Sequence, residues 1–383
     1  MQFELTSEQK MIQDAARDFA QKEIAPVAAA LDKEEKFPAD IVKKLGELGF
    51  MGMTVPTEYG GGGMDTLSYV VALEQIAKAC ASTGIIMSVN NSLVCYPLFE
   101  FGTDEQKKKY LTPLASGQKL GAFSLTEPNA GSDAGNQQTT AVVQGDNYVL
   151  NGTKIFVTSG GVADVIIITA ATDKTKGAKG ISAFIVETTW PGFKVGSLEH
   201  KMGIRASNTA ELVLTDLKVP KQNMLGNPGD GFKIALKALD GGRIGVAGQA
   251  LGIAQAAFET AVKYSQQRQQ FGKAISEFQA VQWMIAEMAV SIDAARLLVY
   301  RAAVAKDTKK YFSKEAAMAK LFASEMASDV TSKAIQIHGG YGYSREYPVE
   351  RNYRDARITQ IYEGTSEVQK MVISAMVLRE FAQ

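Results

Sequence analysis

The stretch VVQGDNYVLNGTKIFV, residues 142–157, decides the fold class of this 383-residue chain. Its apolar runs are short and rich in β-branched and aromatic residues, which is typical of β-strands. Gly145-Asp146-Asn147 and Asn151-Gly152 separate the runs, and both are hairpin turn signals. The stretch therefore predicts three short strands joined by tight turns.

The strand pattern continues on both sides, from about residue 119 to residue 228. Further short apolar runs occur at 165–169, 181–186, 193–195 and 211–214. No helical periodicity separates them, and closely spaced strands without intervening helices are typical of an antiparallel sandwich or barrel. We therefore expect a central antiparallel β domain.

Helical patterns occupy the chain before and after the strands. Thr6 with Gln9, and Thr103 with Gln106, form sequence signatures of capping boxes at helix starts. Apolar periodicity predicts helices at 67–79, 84–101 and, after the strands, at about 231–267, 277–306, 314–337 and from Ser366 onwards. Three or four long antiparallel C-terminal helices would pack as a bundle.

The predicted fold class is therefore α+β, with two changes of character along the chain. The predicted domains are an N-terminal α-helical domain at 1–118, a central antiparallel β domain at 119–228 and a C-terminal four-helix bundle domain at 229–383. This layout contains no internal repeat.

Composition excludes several classes of protein. Lys and Arg total 41 and so do Asp and Glu, so the formal net charge is zero, which argues against a nucleic-acid partner. Cys80 and Cys95 fall in apolar stretches and are predicted to be buried reduced thiols, and no spacing suggests a metal site. The start, MQFELTSEQK, resembles no signal segment, and the longest apolar run, near 165–171, is too short to span a bilayer. We expect a cytoplasmic protein without a membrane partner.

Two glycine-rich segments do not fit the familiar nucleotide-binding motifs. Gly60–Gly63 lies between predicted helices, and the segment 226–231 lacks the lysine and the preceding strand of a P-loop. We predict a turn at the first and a linker at the second. Any dinucleotide would therefore be bound by a route other than the Rossmann motif.

Two segments combine unusual composition with reactive groups. FSLTEPNAGSD, residues 123–133, has small residues and hydroxyls suited to a ligand site, but a loop between domains explains it equally well. Asp240-Gly-Gly-Arg243 lies in a helical pattern, where each glycine costs roughly 1 kcal/mol against alanine. Either a group approaches the backbone closely there or the helix is kinked, and the arginine could bind a phosphate or a carboxylate.

Glu363 is the main candidate for a catalytic group. It lies between Tyr362 and Gly364, directly before a helix that Thr365 or Ser366 can cap. A desolvated carboxylate there would have a raised pKa, as a general base for a weak carbon acid requires. The alternative is a solvated loop residue without a function.

The chain as a whole resembles the acyl-CoA dehydrogenase family. The resemblance is carried by five segments in order: FSLTEPNAGSD (123–133), LNGTKIFVTSGG (150–161), RQQFGK (268–273), QIHGGYGYSREYPVER (336–351) and RDARITQIYEGTSEVQ (354–369). It implies FAD bound without covalent attachment, in a homotetramer. It also implies oxidation of an acyl-CoA to the trans-2-enoyl-CoA, with electrons passing to electron-transferring flavoprotein.

The resemblance also implies roles for individual residues. Glu363 would remove the α-proton while flavin N5 takes the β-hydride, and its backbone N–H and an FAD ribityl hydroxyl would polarise the thioester carbonyl. The implied cofactor-binding residues are Phe123, Leu125, Thr126, Ser132, Phe156, Thr158, Arg268, Phe271, Gln279, Gln336, Gly339, Gly340, Thr365 and Glu367. The implied substrate-binding residues are Ser132, Asp240, Arg243, Tyr362 and Gly364. Arg268 and Gln279 would reach FAD from a neighbouring subunit, and no metal is implied.

The resemblance further points to a short acyl chain. Isovaleryl- and long-chain members place the base near position 242, which is glycine here, while glutamate stands at 363. Residues 85–93 resemble the pocket floor of short-chain members, so butyryl-CoA is the expected substrate. The alternatives are a branched, cyclic or dicarboxylic acyl-CoA. Acyl-CoA oxidases are usually longer, nitroalkane oxidases would have aspartate at 363, and a non-catalytic helical assembly protein would need neither Glu363 nor the flavin segments.

Overall fold

The computed structural model describes residues 4–382 of the chain. Helices fill its N-terminal part, and both predicted capping boxes are present, at Thr6 and at Thr103. The helices are α1 (Ser7–Phe19), α2 (Ala28–Glu34), α3 (Ala39–Glu47), α4 (Thr66–Ala79), α5 (Ala81–Ser88), α6 (Tyr96–Phe101), α7 (Asp104–Gln106) and α8 (Thr112–Ala115). Cys80 and Cys95 are buried free thiols, as predicted.

The predicted helix at 84–101 is part of a longer run that changes its winding. It begins with α5 at Ala81, passes through π-helical turns at Val89–Cys95 and ends with α6. All of the residues Val89–Cys95 are buried. Wide π-helical turns inside a helix are frequent beside functional sites.

The central part is one eight-stranded sheet. Its strands are β1 (Gly121–Ser124), β2 (Thr140–Gln144), β3 (Asn147–Thr158), β4 (Val165–Ala171), β5 (Ile181–Glu187), β6 (Phe193–Leu198), β7 (Thr209–Pro220) and β8 (Met224–Leu225). The order is β6-β7-β3-β2-β4-β5-β8, with β1 beside β4. The pairing is antiparallel except that β1 and the first residue of β2 run parallel to β4.

The predicted hairpin turn at Asn151-Gly152 is wrong, whereas the turn at 145–146 is present between β2 and β3. Strand β3 runs straight through Gly152, where its register with β7 shifts. A Cβ on Gly152 would lie 2.4 Å from the Thr139 hydroxyl oxygen. The glycine therefore marks a bulge and a close approach inside a strand, which sequence alone does not distinguish from a turn.

Strand β4 explains the most apolar run of the chain. Val165 and Ile167 belong to the core shared with the helices, whereas Ile166 and Ile168 belong to the interior of the β domain. Because successive side chains of a strand point to opposite faces, a strand covered on both faces must be apolar throughout.

The C-terminal part is helical again and contains the predicted bundle. Its elements are α9 (Gly231–Gln267), the hairpin β9 (Gln269–Gln270) and β10 (Lys273–Ala274), α10 (Gln279–Thr308), α11 (Ser313–His338), α12 (Val349–Ile358) and α13 (Ser366–Phe381). Helix α11 packs against α9, α10 and α13, and α9 also packs against α4 and α5. Between residues 4 and 382, no helix is long and apolar enough to cross a membrane.

Candidate active site

Glu363 lies in a strained turn between α12 and α13. Glu363 has φ 53° and Gly364 has φ 93°, so two successive residues occupy the left-handed region. For a residue other than glycine this costs about 1–3 kcal/mol, so surrounding contacts must maintain it. Thr365 closes the turn, because its side chain accepts a hydrogen bond from the Val368 N–H at 3.3 Å.

The Glu363 carboxylate packs directly against the backbone of α9. Its Oε2 atom is buried and has no hydrogen-bond partner among residues 4–382. A Cβ on Gly242 would lie 1.9 Å from that oxygen. Helix α9 continues through both glycines, so close approach, and not a kink, accounts for Gly242. A Cβ on Gly241 would make only ordinary contacts, at 3.6 Å or more, and nothing in the structure requires a glycine there.

Burial controls the protonation of Glu363. Loss of solvation raises the pKa of its carboxyl to about 7, although the charges of Lys320 and Arg243 act in the opposite direction. The carboxylate therefore exchanges protons near neutral pH. The alternative of a solvated loop residue does not describe this side chain.

Four of the five predicted substrate-binding residues lie close to this turn or to α9 beside it. Arg243 donates to Asp240 at 2.7 Å, while the Arg243 Nε is buried without a partner in the described part of the chain. The Tyr362 hydroxyl donates to Gln249 on α9. The Gly364 carbonyl accepts from Lys320 and Gln369. Ser132, in contrast, is exposed in the loop after β1.

Four predicted cofactor-binding residues line one cleft of about 500 Å³ on the C-terminal helices. They are Arg268, Gln336, Gly339 and Gly340. Added Cβ atoms on the two glycines would meet nothing within 4 Å, so the space beside them is open. The Arg268 guanidinium lies 5.3 Å from the centre of the Tyr341 ring, and no β-domain residue contributes to the lining.

A second predicted set lies on the β domain. Leu125 and Thr126 follow β1, and the Thr126 carbonyl accepts from the Ile155 N–H at 3.0 Å, which brings them beside the end of β3. Phe156 has φ 56° and is 61% exposed, so the β3 bulge turns an aromatic ring outwards. Thr158 ends β3, whereas Phe123 is buried in the core.

The remaining predicted residues are dispersed over the surface of the C-terminal part. Phe271 is 95% exposed at the tip of the β9–β10 hairpin. Gln279 is exposed at the first position of α10, and Glu367 is exposed in the first turn of α13. The chain does not bring these three side chains to either predicted set.

Sequence reasoning missed two buried lysines. Lys320 on α11 is fully buried behind the Glu363 turn, and Lys154 on β3 is fully buried beneath the loop after β1. A signal for Lys320 was present, because it continues the buried alanine face formed by Ala316 and Ala323. Lysine is almost never fully buried without a partner, so its place on that face indicates a specific contact.

Comparison with known proteins assigns the chain to a family. Models of the N-terminal, middle and C-terminal domains of acyl-CoA dehydrogenases match residues 6–118, 122–217 and 229–378. The chain belongs to the acyl-CoA dehydrogenase family. It is therefore an oxidoreductase that dehydrogenates acyl-CoA thioesters.

Three relatives cover nearly the whole of this acyl-CoA dehydrogenase. The short-chain-specific acyl-CoA dehydrogenase of Clostridium acetobutylicum is 55% identical over 99% of this chain and all of its own. The structure of butyryl-CoA dehydrogenase from Megasphaera elsdenii has a TM-score of 0.97 and 52% identity, over 99% of this chain and all of that one. A structure described for the electron transferring flavoprotein of Acidaminococcus fermentans contains a chain with a TM-score of 0.98 and 55% identity, over 99% and 100% of the two chains.

Acyl-CoA dehydrogenases are flavoproteins, and this chain has groups that fit a flavin nucleotide. Gly339 and Gly340 leave backbone open beside Arg268, a combination suited to a pyrophosphate. Phe156 presents an exposed aromatic ring on which a planar ring system can stack. The two features lie on different parts of the chain: Phe156 is on β3, and the open glycines follow α11.

Proposed function

We propose that this acyl-CoA dehydrogenase converts butyryl-CoA, or a similar short-chain acyl-CoA, to the trans-2-enoyl-CoA, with Glu363 as the base. The observation that carries the proposal is the buried Glu363 carboxyl, whose pKa is raised to about 7 by loss of solvation. A base with a pKa near the working pH combines a useful ionised fraction with a strong tendency to accept a proton.

Glu363 would remove the proton from the substrate α-carbon. FAD, when bound, supplies the acceptor for the β-hydride. The Glu363 backbone N–H would stabilise charge that develops on the thioester oxygen. Asp240, Arg243, Tyr362 and Gly364 would hold the thioester and the adjoining part of CoA, with Ser132 approaching from the β domain.

The roles proposed for the cofactor-binding residues follow the two sets described above. Leu125, Thr126, Phe156 and Thr158 would contact the isoalloxazine ring, with Phe123 supporting them from the core. Arg268, Gln336, Gly339 and Gly340 would bind the pyrophosphate and adenine end of FAD in a neighbouring subunit, as would Phe271 and Gln279. Thr365 and Glu367, at the start of α13, would complete the binding site.

A short acyl chain is supported by the packing beside Glu363. The Leu93 side chain lies 2.8 Å from where a Gly242 Cβ would stand, and the Ser88 and Tyr69 oxygens lie 2.2 and 2.7 Å from a Gly245 Cβ. Tyr69 also donates to Ser88 at 3.0 Å. We propose that these groups form the closed end of the acyl-binding pocket. The names of the Clostridium and Megasphaera relatives support the same substrate class.

Association into a homotetramer, and electron exchange with electron-transferring flavoprotein, belong to the same proposal. Helix α10 exposes an apolar residue at every seventh position: Trp283, Val290, Leu297 and Val304. Such a stripe is typical of a helix that packs against another copy. The flavoprotein partner is supported by the description of the Acidaminococcus structure.

The test is an anaerobic titration of the purified holoenzyme with butyryl-CoA, followed by its visible spectrum. We expect the flavin band to bleach near stoichiometry in the wild-type protein and in Glu58→Gln, a control at an exposed glutamate. Glu363→Gln should bind butyryl-CoA but leave the band intact, because an amide cannot accept the α-proton. Bleaching in Glu363→Gln would assign the base to another residue, and a wild-type protein that reacts only with branched, cyclic or dicarboxylic acyl-CoAs would refute the short-chain substrate.

A further inference from the structure

Lys320 is a cation enclosed in the protein interior beside the catalytic turn. Its side chain is fully buried on α11. Its Nζ donates to the Gly364 carbonyl at 2.6 Å, the only hydrogen bond that this ammonium makes within residues 4–382. A buried ammonium must be compensated, and here the compensation comes from the backbone of the turn that carries Glu363.

The charges around this ammonium point to a connection with Glu363. Among the charged groups near the Glu363 carboxyl, Lys320 has the largest effect towards a lower pKa, ahead of Arg243 on α9. Burial lowers the pKa of Lys320 itself to about 8, so it still carries a proton at neutral pH. Tyr69 on α4 and the neighbouring Tyr362 also face Glu363, but neither carries a charge near neutral pH, because burial raises both pKa values.

We propose that Lys320 is a positioning residue for the catalytic base, which fixes the Glu363–Gly364 turn through its carbonyl and keeps a positive charge beside the carboxylate. The inference rests on the proposed role of Glu363. Two consequences follow from this geometry. The ammonium holds a backbone conformation that costs energy at a residue other than glycine. Its positive charge also lowers the pKa of the Glu363 carboxyl and so counteracts part of the increase that burial causes.

The test separates the charge of Lys320 from its hydrogen bond. Lys320→Met removes both, and Lys320→Gln keeps a donor without a charge. Lys333→Met serves as the control, because Lys333 lies further along α11 and pairs with Glu287 and Asp329 on the surface. The pH dependence of the flavin reduction rate by butyryl-CoA is measured for each folded holoenzyme.

We expect the midpoint of the acid limb to move upwards by about one pH unit in both Lys320 variants, since a nearby opposite charge lowers a carboxyl pKa by that amount or more. The rate of Lys320→Gln should recover towards the wild-type value at higher pH, whereas that of Lys320→Met should recover only in part, because its turn has also lost the hydrogen bond to Gly364. Lys333→Met should keep the wild-type midpoint. An unchanged midpoint in a folded Lys320→Met protein, or a loss of rate that is equal at all pH values, would overturn the proposal. If Lys320→Met does not fold, Lys320→Gln decides alone.

A second readout does not depend on turnover. The C=O stretching band of the protonated Glu363 carboxyl, identified as the infrared band that Glu363→Gln lacks, is followed against pH. Its midpoint should move upwards with the kinetic one in both Lys320 variants, and a fixed midpoint would again overturn the proposal. Normal turnover in Glu363→Gln would instead refute the base assignment, whatever the Lys320 variants do, so the two failures are distinguishable.

Discussion

At the residue scale, the position of the Glu363 carboxylate depends on the absence of a Cβ atom at Gly242. Gly242 leaves a gap on α9 into which the carboxylate fits, and the left-handed Glu363 backbone directs it there. The collision that a Cβ would cause involves the far end of a side chain, which can move. The gap should therefore be more important for the orientation of the base than for folding.

Gly242→Ala should consequently give a folded protein with little activity. The added methyl group would displace the Glu363 carboxylate and press on Leu93, so we expect kcat with butyryl-CoA to fall by at least about tenfold, as a misplaced catalytic group does. Gly248→Ala, on the same helix, is the control, because its Cβ would meet only Leu73 and Val70 at 3.5 Å or more. Steady-state rates of both variants measure the effect on catalysis, and thermal unfolding measures the effect on folding stability. Equal rates in the two variants would show that the gap at Gly242 does not contribute to the orientation of Glu363.

The sequence predicts some of these residues and not others for a physical reason. Gly242 and Glu363 stood out because two glycines in a helix, and a charge between an aromatic residue and a glycine, are unfavourable without a compensating contact. The position of Lys320 on the buried face of α11 indicates a specific contact but does not identify the partner. Its importance arises only when α11 is packed against the Glu363 turn, which is a tertiary event.

At the scale of elements, the loop after β1 is tied to β3 by a buried ion pair. Lys154 donates to the Glu127 carboxylate at 2.9 Å and to the Leu125 carbonyl at 3.0 Å. Glu127 in turn accepts from the Thr139 N–H at 3.1 Å. Both charged side chains are buried, so the pair fixes the loop that contains the proposed flavin contacts.

Lys154→Met should destabilise the protein strongly, because it leaves the Glu127 charge buried without its partner. Breaking a buried pair in this way costs about 3–5 kcal/mol. Lys218→Met on β7 is the control at an exposed lysine, and adding Glu127→Gln to Lys154→Met should restore part of the loss. Urea unfolding of the four proteins measures the free energies. A Lys154→Met protein as stable as Lys218→Met would mean that the pair does not hold the loop.

Strand β3 shows where pattern reasoning fails at this scale. Its apolar alternation and its turn with β2 were predictable from local sequence. Its two register shifts against β7 were not, because a bulge requires a partner strand that lies some 60 residues further along the chain. The second shift turns the Phe156 ring outwards. A strand predicted without this shift would therefore place the proposed flavin contact on the wrong face.

At the scale of the whole molecule, the three-part layout was predictable because the period of the apolar pattern changes twice along the chain. The contacts that join the parts were not, since they involve isolated charged residues. Arg354 on α12 donates to Asp32 on α2 at 2.7 Å and to the Met202 carbonyl at 3.0 Å. Asp355 beside it accepts from the Ile204 N–H at 2.5 Å.

This junction should make stability depend on pH. Burial and the neighbouring Asp32 raise the pKa of Asp355 to about 7, against the opposing charges of Arg351 and Arg354. Because the folded protein holds this proton more tightly than the unfolded chain, the stabilisation is complete below about pH 4 and is lost as the pH rises through 7. The thermal unfolding midpoint of the wild-type holoenzyme should therefore decrease as the pH rises from 5 to 8.

Asp355→Asn removes the titrating group but keeps an oxygen that can accept from Ile204. We expect the variant to lose less thermal stability than the wild-type protein between pH 5 and pH 8, measured as the unfolding midpoint at each pH. Glu363 titrates in the same direction, but it is present in both proteins, so the difference between them reports Asp355 alone. If the variant had the same pH dependence as the wild-type protein, Asp355 would be ionised throughout this range, and its pKa in the folded protein would not be raised.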